Sequence, residues 1–175
     1  TPEFKSVLLR YFNPAGAHPS AKIGELPLGP PTSLVPVITR TAAGLIPKMY
    51  VHGSNYETRD GSCIRDYIHV SDIADAHIKA LDFVLKGKNL EACSLFNLGT
   101  GNGITVFEAI KSFEKVSGKK LNHEVGPKRI GDVMAIYANN DLARKELGWQ
   151  PKYGLDDMMI SAWKWQQTIS TITAK

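Results

Sequence analysis

Long apolar runs are missing from this 175-residue chain. Nothing approaches the roughly 18 consecutive apolar residues that a membrane-spanning helix needs. Cysteine is scarce: only Cys63 and Cys93 occur. Two cysteines make no disulfide framework, so a reducing, cytoplasmic setting is expected. The opening Thr1-Pro2-Glu3-Phe4-Lys5 has no secretory hydrophobic segment. It also has no methionine, so Thr1 need not be a natural start. A strong charge of one sign is absent too. The sequence has 21 Lys and Arg against 17 Asp and Glu, a net charge of +4. That mild, scattered excess suits a small anionic ligand and argues against nucleic acid as a partner. His18, His52, His69, His77 and His123 are too dispersed for a metal-ligand pattern. No Gly-x-Ser-x-Gly nucleophile elbow occurs. No Tyr-x-x-x-Lys occurs either, which would set a phenol and an ammonium on one helix face. What is present is ordinary globular composition, with 43% hydrophobic and 22% charged residues.

Residues 6–12 form a short apolar run closed by Asn13-Pro14-Ala15-Gly16. Such a run between turn residues predicts a buried parallel strand. Residues 16–31, rich in proline and glycine, predict a long loop of the kind that is usually functional or disordered. Thr32-Ser33 offers an N-cap for a helix starting at Leu34 and stopped by Gly44. Pro36 falls in its first turn, where proline is tolerated. Met49-Tyr50-Val51-His52 predicts a short strand. Ser71 or Asp72 is expected to cap the next helix, with Ile73, Ile78, Leu81, Val84 and Leu85 as its apolar face and Gly87 at its end. Residues 94–98 predict a second buried strand. Thr105 and Glu108 have capping-box spacing for a helix ended by Gly118. Residues 121–125 predict a third strand and 139–147 a short helix. A last amphipathic helix runs from Leu155 to about Ile169, with Met158, Met159, Ala162 and Trp163 inward.

This alternation reads as α/β with at least partly parallel pairing. Only two strands look fully buried, and two cannot make a complete doubly wound sheet. The chain therefore reads as part of something larger.

Four places could carry chemistry. Gly99-x-Gly101-x-Gly103, between a strand and a capped helix, mimics a dinucleotide fingerprint. Ile104 stands where the third glycine is needed, so a tight strand-to-helix turn is expected instead. Arg65-Asp66-Tyr67 with His69 is the densest polar cluster. Its arginine can hold a phosphate bidentately or pair structurally with Asp66 or another carboxylate. Lys128-Arg129-Ile130-Gly131-Asp132 can clamp an anion and accept from a sugar hydroxyl, or be a solvated turn. Asn13 lies past a strand's C-terminal end, where open α/β sheets bind ligands, or it makes an Asx-turn before Pro14.

Leu9 through Ser20, Asp60-Gly61-Ser62-Cys63-Ile64-Arg65-Asp66-Tyr67-Ile68-His69-Val70 and Phe96-Asn97-Leu98-Gly99-Thr100-Gly101, followed by Arg129-Ile130-Gly131-Asp132 and Leu147-Gly148-Trp149, together resemble one family. It is the UDP-glucose 4-epimerases, extended short-chain dehydrogenase/reductases, in their C-terminal half. The resemblance implies a nucleotide-sugar-binding domain over residues 1–175, with 1–13 and 94–118 contributing to the last strands of a Rossmann-type parallel sheet. It implies a UDP-sugar substrate, NAD held mainly by an absent N-terminal half, a homodimeric parent, and no catalytic residue in this chain. By position, Asn13 would bind the sugar nucleotide, and Arg65 and Arg129 the diphosphate. Asp132 would accept from the ribose, and Leu34 would line the site through its backbone. Ser33, Tyr50 and His52 belong to the same substrate set, and Tyr11 would border the nicotinamide. Thr32-Ser33 replaces the family's usual Asn-Asn, and His52 replaces its usual aromatic near uracil. Ile136 falls where side-chain size decides whether N-acetylated sugars enter, and isoleucine is intermediate. A dehydratase or a UDP-glucuronate epimerase is the alternative within the enzyme class. A non-catalytic binding fragment is the alternative outside it.

Overall fold

The computed structural model describes residues 4–26, 29–88 and 91–173. The opening Thr1-Pro2-Glu3 and residues 27–28 of the expected loop lie outside the described residues. Strand β1 (Ser6–Tyr11) pairs in parallel with β6 (Cys93–Leu98), Leu8 opposite Leu95 and Tyr11 opposite Leu98. Both strands were expected to be buried; β6 is buried on one face alone, and β1 is half-buried on that face. Phe96 and Leu98 are sealed, with Val7 and Leu9 packed beside them, whereas Leu8 is 53% exposed and Leu95 39%. Side chains alternate across a strand, so a sheet covered on one side shows this parity. The covering layer is α2 (Val70–Leu85), α4 (Asp141–Leu147) and the fully buried Trp149.

Asn13–Ala15, expected as a turn, is a strand, β2, paired in parallel with β5 (Tyr67–His69). These two strands form a sheet of their own, so Pro14, which has no N–H to donate, meets no further ladder. Strand β3 (Met49–His52) pairs in parallel with β8 (His123–Gly126). The two-residue β4 (Ile64–Arg65) lies between β7 (Ile104–Thr105), antiparallel, and β9 (Ala135–Ile136), parallel. Helices α1 (Leu34–Ala42), α3 (Val106–Ser117) and α5 (Leu155–Thr173) enclose the main core. Its centre is Ile38, Met49, Val51, Phe113, Met158 and Met159.

The capping box of α3 forms as its spacing predicts. The Thr105 hydroxyl accepts from the Glu108 N–H at 3.1 Å, and the Glu108 carboxylate accepts from the Thr105 N–H at 2.9 Å. Helix α2 departs from expectation twice. Its N-cap is His69, whose Nδ1 accepts from the Ser71 N–H at 3.0 Å. Asp72 is buried and instead accepts from the N–H groups of Lys152 and Tyr153. Its buried face is Ile73, Ala76, Ala80 and Phe83, while Ile78, Leu81 and Leu85 are exposed. The helix carries two apolar stripes, and the sheet selects the one with small alanines that lets the backbones approach.

Candidate functional site

The site begins with one buried carboxylate. Asp66, fully buried between β4 and β5, accepts from Thr100 N–H at 2.8 Å, Thr100 hydroxyl at 2.6 Å, Gly101 N–H at 2.9 Å and Ala138 N–H at 3.0 Å. It thus ties the β4–β5 segment, the 99–101 turn and the residue just past β9 to a single point. The Arg65–Asp66 pair considered from the sequence does not form. The 99–103 turn is structural, because the N–H groups a pyrophosphate would need already serve Asp66. Gly99 is required there: a Cβ would lie 2.4 Å from the Asp66 carboxylate.

Side-chain alternation sends Arg65 to the opposite side, into a cleft. Its guanidinium donates to the carbonyls of Ile64 at 2.8 Å and Val133 at 2.6 Å, and to Asp132 at 3.1 Å. Arg129 reaches the other oxygen of Asp132 at 3.5 Å. A strand and a turn far apart in sequence therefore bring two guanidinium groups onto one carboxylate, which leaves a net positive charge. The Arg65 side chain is 19% exposed and locked by its carbonyl partners, whereas that of Arg129 is 61% exposed.

A cavity of about 270 Å³ opens beside this clamp. Its walls include Asn13 from β2, Ser33 and Leu34 from the start of α1, Tyr50 and His52 from β3, and Arg65, Arg129 and Asp132. Ser33 is the N-cap residue of α1, yet its side chain makes no capping bond. A wider hollow of about 810 Å³ continues from it, sharing Leu34, Tyr50, His52 and Arg129. Two residues singled out from the sequence stand outside both. Ile136 lies opposite Arg65 in the β4–β9 register and is 45% exposed. Tyr11 ends β1, and its hydroxyl meets His77 Nε2 at 2.8 Å. Since His77 Nδ1 must donate to the Ile73 carbonyl, Nε2 is the acceptor and the Tyr11 hydroxyl the donor.

Tyr67 and Cys63 also line the cavity and were not singled out as site residues. Tyr67 stood inside the Arg65-Asp66-Tyr67 cluster without a role of its own. Burial pushes its phenol up to about 12, against the pull of Arg65. Among the described residues no three His, Cys, Asp or Glu side chains converge on a metal site. No described helix is long and apolar enough to cross a membrane.

The sequence model described as GDP-mannose 4,6 dehydratase matches residues 2–161. The chain belongs to that family. Within the family its relatives are UDP-glucose 4-epimerases, as the motifs suggested. A bifunctional UDP-glucose 4-epimerase and UDP-xylose 4-epimerase of Arabidopsis thaliana is 50% identical over 94% of this chain and 46% of its own length. The UDP-glucose 4-epimerase of Bacillus subtilis is 46% identical over 95% of this chain and 48% of its own. Among solved structures, the Stenotrophomonas maltophila epimerase with bound NAD and formylated UDP-arabinopyranose superposes with a TM-score of 0.94. It is 45% identical, over 97% of this chain and 50% of that one. The Bifidobacterium longum epimerase, in complex with NAD+ and UDP, gives 0.89 at 42% identity, over 95% of this chain and 49% of that one. The chain thus spans about half the length of the curated relatives it matches.

Proposed function

We propose that this chain is the UDP-sugar-binding half of an NAD-dependent UDP-glucose/UDP-galactose 4-epimerase of galactose metabolism, inactive until joined to an N-terminal half. The observation that carries this is the shared carboxylate: Arg65 and Arg129 meet on Asp132 beside a cavity of about 270 Å³ that runs on into a wider hollow. Arginine forks suit phosphate oxygens, and two of them against one Asp suit a diphosphate. Asn13 would hold the sugar nucleotide, Ser33 and Leu34 would border it, and Tyr50 and His52 would offer ring faces to the uracil. Asp132 would turn one oxygen to the ribose, and Ile136 would limit the hexose end.

NAD fits this chain at one edge only. Tyr11 would border the nicotinamide, and the Thr100 and Gly101 amides are already spent on Asp66, so the cofactor's pyrophosphate would belong to the absent half. When bound, NAD supplies a reversible hydride acceptor for C4 of the sugar. This chain's part is the grip. Binding energy placed on the UDP end is remote from the reacting carbon and leaves the hexose able to present either face. The same reading takes the parent as a cytoplasmic homodimer.

Calorimetric titration of UDP into the full-length parent tests this. Arg65→Ala should weaken binding roughly thirtyfold, about 2 kcal/mol, because it removes a locked and largely buried charge. Arg129→Ala, at the exposed rim, should cost less. Unchanged affinity in both variants rejects the proposal.

A further inference from the structure

We propose that His69 is an acid-sensitive joint that ties β2, α2 and α5 together only while its ring is neutral. The ring is fully buried at the end of β5, opposite Ala15 of β2 in register. Its Nδ1 accepts from the Ser71 N–H at 3.0 Å and so caps α2. The one proton of a neutral ring is therefore on Nε2, which donates to the Ser161 hydroxyl of α5 at 3.1 Å. That hydroxyl also accepts from the Ala17 N–H at 3.2 Å and donates to the Asp157 carbonyl at 2.8 Å. Every donor and acceptor of the joint is thus spent inside the chain. The space around it is filled as well. Tyr153 stacks on the ring with centroids 4.3 Å apart, and a Cβ on Gly16 would lie 2.9 Å from both the ring and the Ser161 hydroxyl.

A second proton has one place to go, Nδ1, and there it would point a donor at the Ser71 N–H. The cap would be lost and a charge left in a buried pocket, and both are costly. Burial is the largest influence on the ring and holds it below its ordinary value of 6.5. Among the described residues, the charged groups that act on it come from three segments. Asp72 on α2 and Asp157 on α5 favour its protonation, and His18 in the loop after β2 opposes it. The consequence reaches the cleft. The short sheet that sets Ala15 against His69 also carries Asn13, which lines the cavity. Acid that opens the joint therefore loosens the strand that holds Asn13. The joint is independent of the function proposed above; its effect on UDP rests on that function.

A ring with a lowered folded value leaves stability whole above 6.5 and removes it as the pH falls from 6.5 to that value. The test is His69→Asn in the full-length parent, with urea unfolding and UDP titration of both proteins from about pH 8 to about pH 5. Asparagine caps helices well and does not titrate. It gives up the stack on Tyr153, so the difference in pH slope is what is read. Asp72, held above its ordinary value by burial, is present in both proteins and cancels from that difference. Relative to the variant, the folding constant of the wild type should fall by up to about tenfold per pH unit below 6.5 and stay level above it. UDP affinity should fall more steeply in acid in the wild type too. Parallel unfolding profiles overturn the proposal. Diverging profiles with parallel UDP affinities overturn the link to the cleft. If the variant does not fold, NMR titration of the wild-type ring decides: charging at or above 6.5 overturns the joint, and a ring still neutral below 6.5 supports it. A wild type that binds no UDP at any pH rejects the proposed function and leaves the joint to its unfolding profile.

Discussion

The wall of the cleft and the β1–β6 sheet meet opposite fates. In the wall, polar groups find partners inside the chain: Asp66 takes four donors, and Arg65 holds two carbonyls and a carboxylate. In the sheet, apolar side chains are left facing water. Leu8 and Leu95 on one face, and Ile78, Leu81 and Leu85 on the outer stripe of α2, are 39% to 74% exposed. The free edges of a two-stranded parallel sheet add unpaired backbone to that surface. The contrast teaches that the wall of such a site can pair its buried charged groups while its sheet is not complete in its packing.

The sharpest way to break the comparison is to damage the wall. Asp66→Ala would leave the buried Ala138 donor and the partly buried Thr100 and Gly101 donors without their acceptor. An orphaned buried donor costs about 1–3 kcal/mol and one that water can reach costs less, so a loss of about 3 kcal/mol is expected in urea unfolding. A loss below about 1 kcal/mol would mean that the three segments do not depend on that carboxylate. The wall would then be no better held than the sheet.

How much of this was legible follows from how local each signal is. The capping box at Thr105 and Glu108, the strand Met49–His52 and the inward methionines of α5 are fixed by neighbours within a few residues, and they form as read. Strand β2 was hidden, because Pro14 looks like a turn and its partner, β5, lies far along the chain. The face of α2 was misjudged because both of its stripes are apolar, and only the sheet decides between them. The site divides in the same way. Arg65 and the Arg129–Asp132 turn could be picked out one at a time as anion-binding segments. That they share a carboxylate depends on the β4–β9 register, which no local pattern encodes. Ser33 looked like a cap and is one by position, but its hydroxyl is left for the cleft.

A smaller effect sits on the wall's rim. Arg59 binds Glu108, and its hydrogen bond is the main reason the carboxyl is held below its ordinary value of 4.5. A depressed carboxylate pKa contributes stability that is present above 4.5 and lost as pH falls through the folded value. Glu108→Gln keeps a capping-box side chain and removes only the charge. The Glu108 side chain is 37% exposed, so solvent screening limits the pair to about 0.5 kcal/mol at neutral pH. Urea unfolding should show that gap at pH 7 and show it closing as the pH drops below 4.5. A gap that widens in acid would mean that the interaction has the opposite sign.

The smallest expected effect on stability is the one that tells most about the sheet. Replacing Leu81 and Leu85 of α2 with lysine exchanges apolar surface already in water for charge, on a helix whose packing face is untouched. Surface changes of this kind usually stay within about 0.5 kcal/mol. Exposed apolar patches drive association, however, so size-exclusion elution of the isolated chain should shift toward monomer. If the unmodified chain already elutes as a clean monomer, its open face needs no partner, and a self-sufficient binding domain becomes the better description. If a full-length parent covers this stripe, the same double substitution should instead cost several kcal/mol, because it would bury two charges without partners. Opposite responses of one pair of substitutions, harmless in the half and damaging in the whole, are what a stripe covered in the complete protein predicts. Equal responses in both would place the stripe on the outside of the complete protein.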